Sequence, residues 1–200
     1  MSKQRLAPVL SPLERRGLSL AMFQDVVAVL SQARNLDRIA VITRDPEVAR
    51  EAEELDVEVM PEIGFGLNRA LSQALELRKA RDWTLIYVPA DIPCLACDEV
   101  ERLIEVALEA DLVVVPDARR GGTNALALRS PHEIRFRFEG ESLWAHLEEA
   151  HRQGWKAELL RLESFAWDVD LPSDLPALRR NGPYTRAFQY LTTTAAGAVL

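Results

Sequence analysis

An aspartate held between two prolines ends one of the most apolar runs in the chain: Thr84–Ile86 leads into Tyr87-Val88-Pro89-Ala90-Asp91-Ile92-Pro93. Such a pattern puts a carboxylate at the C-terminal tip of a strand. Pro89 and Pro93 leave the local backbone few conformations, so Asp91 is presented rather than mobile. In open α/β sheets, ligands bind in the crevice beyond the strand C-termini. The competing reading is that Asp91 caps a helix beginning near Ala96–Asp98, since Asp is a preferred cap.

A second acidic cluster lies in Phe165–Leu175, Phe-Ala-Trp-Asp-Val-Asp-Leu-Pro-Ser-Asp-Leu. On an extended segment Asp168 and Asp170 point to one side. Concentrated negative charge beside buried chain needs a partner. A divalent cation suits it, because Mg²⁺ takes one or two carboxylates together with phosphate oxygens. Asp91 and the Asp168/Asp170 pair can share such an ion. The alternative is a pair of surface aspartates, with Asp174 opening a helix.

Three further stretches can bind anions. In Arg119-Arg120-Gly121-Gly122-Thr123-Asn124, the glycines permit positive φ, so successive N–H groups can converge on an anion. Thr123 and Asn124 add side-chain donors, and the arginines add charge. Read plainly, the same stretch is a hairpin turn with solvated arginines. In Phe138-Glu139-Gly140-Glu141-Ser142, Ser142 stands at a helix N-terminus, where anions bind readily; its plain reading is a cap. Lys3 and Arg5 can hold a triphosphate, and otherwise make an ordinary charged tail.

Elements that would position these residues alternate along the chain. Ser11-Pro12-Leu13-Glu14 opens a helix in which Leu18, Met22, Val26, Val29 and Leu30 recur at helical spacing. Strands are predicted over 38–43, 57–60, 84–88, 111–116, 125–128 and 157–162. Helices are predicted over 45–55, from Gly64-Phe65-Gly66-Leu67-Asn68 to about Ala80, over 97–110 and 142–153, and from Pro172. Short apolar runs alternating with amphipathic helices give an α/β, Rossmann-like, mostly parallel sheet covered on both faces. The reading places one domain over 1–182 and a loosely ordered tail over 183–200.

Composition bounds the function. At 200 residues, 48% hydrophobic and 28% charged, the chain suits one ordinary globular domain. A net charge of −7 argues against a general nucleic-acid binder. No window is apolar over a bilayer's thickness, and no secretory signal opens the chain, so a cytoplasmic protein without a membrane partner is expected. Cys94 and Cys97 form the only C-x-x-C; with no second pair, and no ligand spacing among His132, His146 and His151, they read as reduced thiols.

Taken in order, K-x-R-L-A-P-V-L-S-P-x-E-R, G-L-N-x-A-L, P-A-D-I-P, G-G-T-N-A-L and D-V-D-x-P-x-D-L resemble the 2-phospho-L-lactate guanylyltransferase family. Some of its members use phosphoenolpyruvate, and they act in making coenzyme F-420. The resemblance runs from Lys3 to about Leu178. It implies a nucleotide-diphospho-sugar-transferase-like fold and a reaction of GTP with a phosphorylated three-carbon acid, releasing pyrophosphate. By motif, it implies that Asp91, Asp168 and Asp170 hold Mg²⁺, and that Lys3 and Arg5 contact the GTP phosphates. Thr123 with the Gly122 backbone, and Ser142 beside Gly140, would grip the acid; Leu67 and Asn68 would lie near the guanine. P-A-D-x-P alone would fit other nucleotidyltransferases, for a sugar phosphate or the molybdenum cofactor. A non-catalytic nucleotide-binding protein of the same fold is the third alternative.

In one respect the sequence departs from the resemblance. Family members begin with an apolar strand placed before K-x-R-L, and this strand would lie in the middle of the sheet. The expectation is therefore a sheet lacking that first strand, with weak GTP binding and poor stability if the chain begins at Met1. Oligomeric state is left open between monomer and homodimer.

Overall fold

A computed structural model describes residues 3–64, 66–77, 83–119, 121–129 and 134–194. Arg120 of the glycine turn, Phe65, His132, the expected helix end at Ala80 and residues 195–200 of the tail lie outside the described residues. The chain divides into two compact units.

One unit comprises 1–33, 89–100 and 162–200. Its long helix α1, Pro12–Leu30, starts as the sequence dictates. Ser11 Oγ accepts from the Glu14 N–H, the Glu14 carboxylate accepts from the Ser11 N–H, and Pro12 fills the first position. Leu18 and Met22 of α1 are buried with Leu6, Leu10, Val169, Leu175, Leu178 and Leu191. The region expected to be a loose tail contains a helix, α7, Arg186–Thr193. Its first amides are all satisfied. Asp25 of α1 accepts from the N–H groups of Arg186 and Ala187, and Thr185 Oγ1 accepts from that of Phe188. A side chain at Gly17 would collide with the Tyr190 ring, so the glycine lets α7 lie against α1. Tertiary capping and packing thus order a segment whose own periodicity is weak.

The other unit comprises 34–88 and 101–161. Its strands are β1 Ala40–Thr43, β2 Glu58–Pro61, β3 Thr84–Tyr87, β4 Leu112–Pro116, β5 Thr123–Arg129 and β6 Ala157–Leu159. Among the described residues they form two sheets, β1–β2 and β3–β5–β4–β6. β1 and β2 run parallel; in the larger sheet β3, β4 and β6 share one direction and β5 alone is reversed. β4, Leu-Val-Val-Val-Pro, is buried throughout, as a continuous apolar run in a covered sheet requires. Helix α2, Pro46–Glu54, follows β1, and α3, Leu67–Leu77, follows β2. Helix α4, Cys97–Ala107, precedes β4 and belongs to this unit from Glu101 onward. Helix α5, Ser142–Gln153, packs Leu143 and Ala150 onto Leu112, Val114, Leu126 and Leu128.

Candidate functional site

In the first unit, the loop bearing Asp91 and the segment bearing Asp170 are tied by backbone. The Val169 N–H donates to the Asp91 carbonyl at 3.0 Å. The N–H groups of Asp170 and Leu171 donate to Asp174 Oδ2, so Asp174 opens the short turn before helix α6, Leu175–Asn181. These bonds set the two carboxylates side by side, and Lys3 stands between them. Its Nζ lies 2.5 Å from Asp91 Oδ2 and 2.5 Å from Asp170 Oδ1. Arg5, largely exposed, reaches Asp170 Oδ2 at 3.7 Å.

Asp91 therefore does not cap α4, which begins beyond it at Cys97. Lys3 adopts a left-handed backbone, φ 53°, which a non-glycine residue keeps only when its surroundings fix it. Burial pulls the Lys3 ammonium down, but the facing carboxylates of Asp91 and Asp170 outweigh this and hold its pKa above the ordinary value. Asp91 Oδ1 is buried with no hydrogen-bond partner. Asp168 is half-buried two positions before Asp170. Among the described residues no three acidic, His or Cys side chains are gathered so as to hold a metal ion, so the expected three-carboxylate set is present as a pair, Asp91 and Asp170.

In the second unit, the anion-binding stretches are built differently from expectation. Neither Gly121 nor Gly122 has positive φ. Their N–H groups do converge, but on the carboxylate of Asp117, whose Oδ1 accepts both at 3.0 and 3.1 Å. Gly140 supplies the left-handed turn, φ 66°, that starts α5. Ser142 is the first helical residue and not the cap. Its N–H donates to the Gly140 carbonyl, and the Leu143 N–H donates to that of Gly121. The backbone donors foreseen for a substrate anion are thus spent inside the chain.

Side chains form the centre of this group. Ser142 Oγ donates to Thr123 Oγ1 at 3.1 Å, and His146 Nδ1 lies 3.3 Å from the same oxygen. The Arg137 N–H donates to His146 Nε2 at 3.1 Å. The His146 ring packs edge-on to Phe138, which packs edge-on to Tyr87. Burial, with the Arg137 charge nearby, pushes the His146 pKa down to about 4. Asn68 Oδ1 accepts from the Phe138 N–H at 2.8 Å, so Asn68 pins this segment. Leu67 is partly exposed at the start of α3, and Asn124 is buried on β5 beside Thr123.

His146 was not singled out by sequence reasoning. The signal was present: His146 follows Ser142 by four positions on a predicted helix, which sets the two on one face. Cys94 and Cys97 are free thiols, and burial together with the Asp25 charge pushes Cys94 up to about 11, so it is no nucleophile at neutral pH.

The family profile described as "Guanylyl transferase CofC like" matches residues 1–196. A phosphoenolpyruvate guanylyltransferase of Rubrobacter xylanophilus is 39% identical over 185 residues, covering 90% of this chain and 89% of that protein. A 2-phospho-L-lactate guanylyltransferase of Methanothermobacter thermautotrophicus is 37% identical over 191 residues, covering 95% of this chain and 84% of that protein. Among solved structures, a Desulfovibrio desulfuricans G20 protein described as a nucleotide-diphospho-sugar transferase superposes with a TM-score of 0.75 at 18% identity, covering 99% of this chain and 87% of its own. A 4-diphosphocytidyl-2C-methyl-D-erythritol synthase superposes with a TM-score of 0.59 at 15% identity, covering 80% of this chain and 89% of its own. At these identities the two structures establish the fold.

Proposed function

The chain belongs to the CofC-like guanylyl transferase family and is a nucleotidyltransferase, and from that premise we propose that it joins GMP from GTP to a phosphorylated three-carbon acid. 2-Phospho-L-lactate and phosphoenolpyruvate are the acids named for its relatives. The setting is coenzyme F-420 biosynthesis. The observation that carries the reading is the family match over 1–196, which takes in every motif bearing a candidate side chain.

The residue types suit the reaction. An oxygen of the acid's phosphate attacks the α-phosphorus of GTP; the bond to the bridging oxygen breaks, and pyrophosphate leaves with that electron pair. The attacking group belongs to the substrate, so no activated Ser or Cys is required. The protein's work is to place two anions together and to offset their charge. Lys3 and Arg5 are the cations for the triphosphate. Thr123 and Ser142 are the hydroxyls for the acid.

Mg²⁺ is the cofactor this chemistry takes, and the residues fit it. A cation, the Lys3 ammonium, already stands between Asp91 and Asp170, and Asp91 Oδ1 is a buried acceptor with no hydrogen bond. Asp91 and Asp170 would hold the ion, with Asp168 as a further carboxylate on the same segment. Bound there, it would neutralise charge on the triphosphate.

The test is pyrophosphate release with GTP and Mg²⁺, offering 2-phospho-L-lactate, phosphoenolpyruvate and 3-phosphoglycerate in turn. Release with one acid and GTP is expected. Turnover of CTP or UTP in place of GTP would move the protein to another nucleotidyltransferase class, and silence with every pair would leave a nucleotide-binding protein.

A further inference from the structure

We propose that His146 is a positioning residue that aims the Thr123 hydroxyl hydrogen at an anionic oxygen of the acid substrate. The inference rests on the guanylyl-transfer reading for the identity of that substrate.

Hydrogen bonding fixes the ring. A backbone N–H can only donate, so the bond from Arg137 N at 3.1 Å requires a bare lone pair on His146 Nε2. A neutral imidazole with Nε2 bare carries its hydrogen on Nδ1. Nδ1–H must therefore donate to Thr123 Oγ1, 3.3 Å away. His146 is fully buried, and an imidazolium, with hydrogen on both nitrogens, could not accept the Arg137 bond. The Arg137 bond acts on Thr123 through the ring.

Counting hydrogens then fixes the threonine. A hydroxyl oxygen has two lone pairs and one hydrogen. Thr123 Oγ1 accepts from His146 Nδ1 and from Ser142 Oγ, so both lone pairs are used. With both lone pairs taken, its own hydrogen turns to the side away from the two donors. Of the two hydroxyls, Thr123 is also the less buried, at 8% exposed against 2% for Ser142. The neighbouring donors are committed: Gly121 and Gly122 to Asp117, Ser142 N and Leu143 N to carbonyls. One unspent O–H, locked in direction before the substrate arrives, is what a phosphate or carboxylate oxygen needs.

Two substitutions separate the ring's two nitrogens. Asn at 146 places its amide nitrogen near the Nδ1 position; Gln places its amide group near Nε2. The experiment is steady-state guanylyl transfer with phosphoenolpyruvate and then 2-phospho-L-lactate as the varied acid, on wild type, His146→Gln, His146→Asn, Thr123→Val and the double variant His146→Gln/Thr123→Val. His146→Gln is expected to raise the KM for the acid roughly tenfold, the cost of one hydrogen bond to a charged group, with the KM for GTP little changed. His146→Asn should recover most of that loss. The double variant should bind the acid no worse than Thr123→Val alone, because the histidine acts only through the threonine.

An unchanged acid KM in His146→Gln, or losses that add in the double variant, would overturn the inference and leave the function standing. Absence of transfer by the wild-type enzyme with every acid would overturn both. If His146→Gln does not fold, the wild type still decides: ¹⁵N NMR of the His146 ring should show Nδ1 protonated and Nε2 bare. A protonated Nε2 would sink the inference.

Discussion

Lys3 Nζ and Asp91 Oδ2 are 88 residues apart in the chain and 2.5 Å apart in the structure. The same ammonium lies equally close to Asp170 Oδ1. One lysine thus offsets two carboxylates that the Val169–Asp91 backbone bond forces together. Removing it leaves like charges adjacent and half-buried.

Lys3→Met should therefore lower stability, by roughly 1–3 kcal/mol, the range for charge-assisted bonds that water partly screens. Thermal unfolding measures this. If Asp91 and Asp170 take a divalent cation, millimolar Mg²⁺ should restore much of the lost Tm in Lys3→Met and do less in wild type. Equal effects of Mg²⁺ on both proteins would argue against a shared cation position. The lysine's own contribution has a pH sense. Its folded pKa is raised, so the stabilisation is complete below the unfolded value near 10.5 and fades as pH rises through the folded value.

Asp91→Asn and Asp170→Asn test the carboxylates as ligands. Each leaves the backbone ties intact, since the Asp91 carbonyl, not its side chain, accepts from Val169. Turnover should fall by roughly a hundredfold or more, as when preorganised charge is removed from a phosphoryl-transfer site. Circular dichroism should show the wild-type fold. Full activity in Asp91→Asn would mean that its pairing with Lys3 is structural only.

His146 adds a pH dependence of the opposite sense. Its folded pKa, about 4, lies below the ordinary 6.5, so the unfolded chain binds the proton more readily. The contribution is complete above pH 6.5 and is lost as pH falls towards 4, a loss on the order of 2–3 kcal/mol across that window. Urea unfolding at pH 7 and pH 4.5, on wild type and His146→Asn, isolates it. The variant should lose less stability between the two pH values than the wild type does.

Much of this was legible in the residues. Ser11-Pro12-Leu13-Glu14 specifies its capping box outright, and α5 spans the 142–153 stretch read as a helix. The aspartates were legible because acidic groups ending apolar runs stand out. What was hidden depends on tertiary partners. α7 is ordered by Asp25 and the notch at Gly17, which no local pattern announces. His146 looked like an unremarkable helical histidine until Arg137 and Thr123 supplied its two bonds. In the glycine turn, the chain itself provides the anion: Asp117 lies a few positions upstream, and composition gives no hint that its carboxylate folds back onto both amides.

That last arrangement separates two adjacent glycines. A β-carbon built on Gly121 meets nothing within 4 Å, whereas one on Gly122 stands 2.9 Å from Asp117 Oδ2 and 3.1 Å from its Cγ. Neither residue uses a backbone conformation reserved for glycine. Gly121→Ala should then fall within about 0.5 kcal/mol of wild type, as ordinary surface changes do. Gly122→Ala must push the Asp117 carboxylate away from two N–H groups and should cost roughly 1–3 kcal/mol, the penalty for leaving a partly buried donor unpaired. Because Thr123 follows directly, the same displacement should raise the KM for the acid and spare that for GTP. Matching melting curves for the two alanine variants would show that the Asp117 contacts contribute nothing to holding the turn.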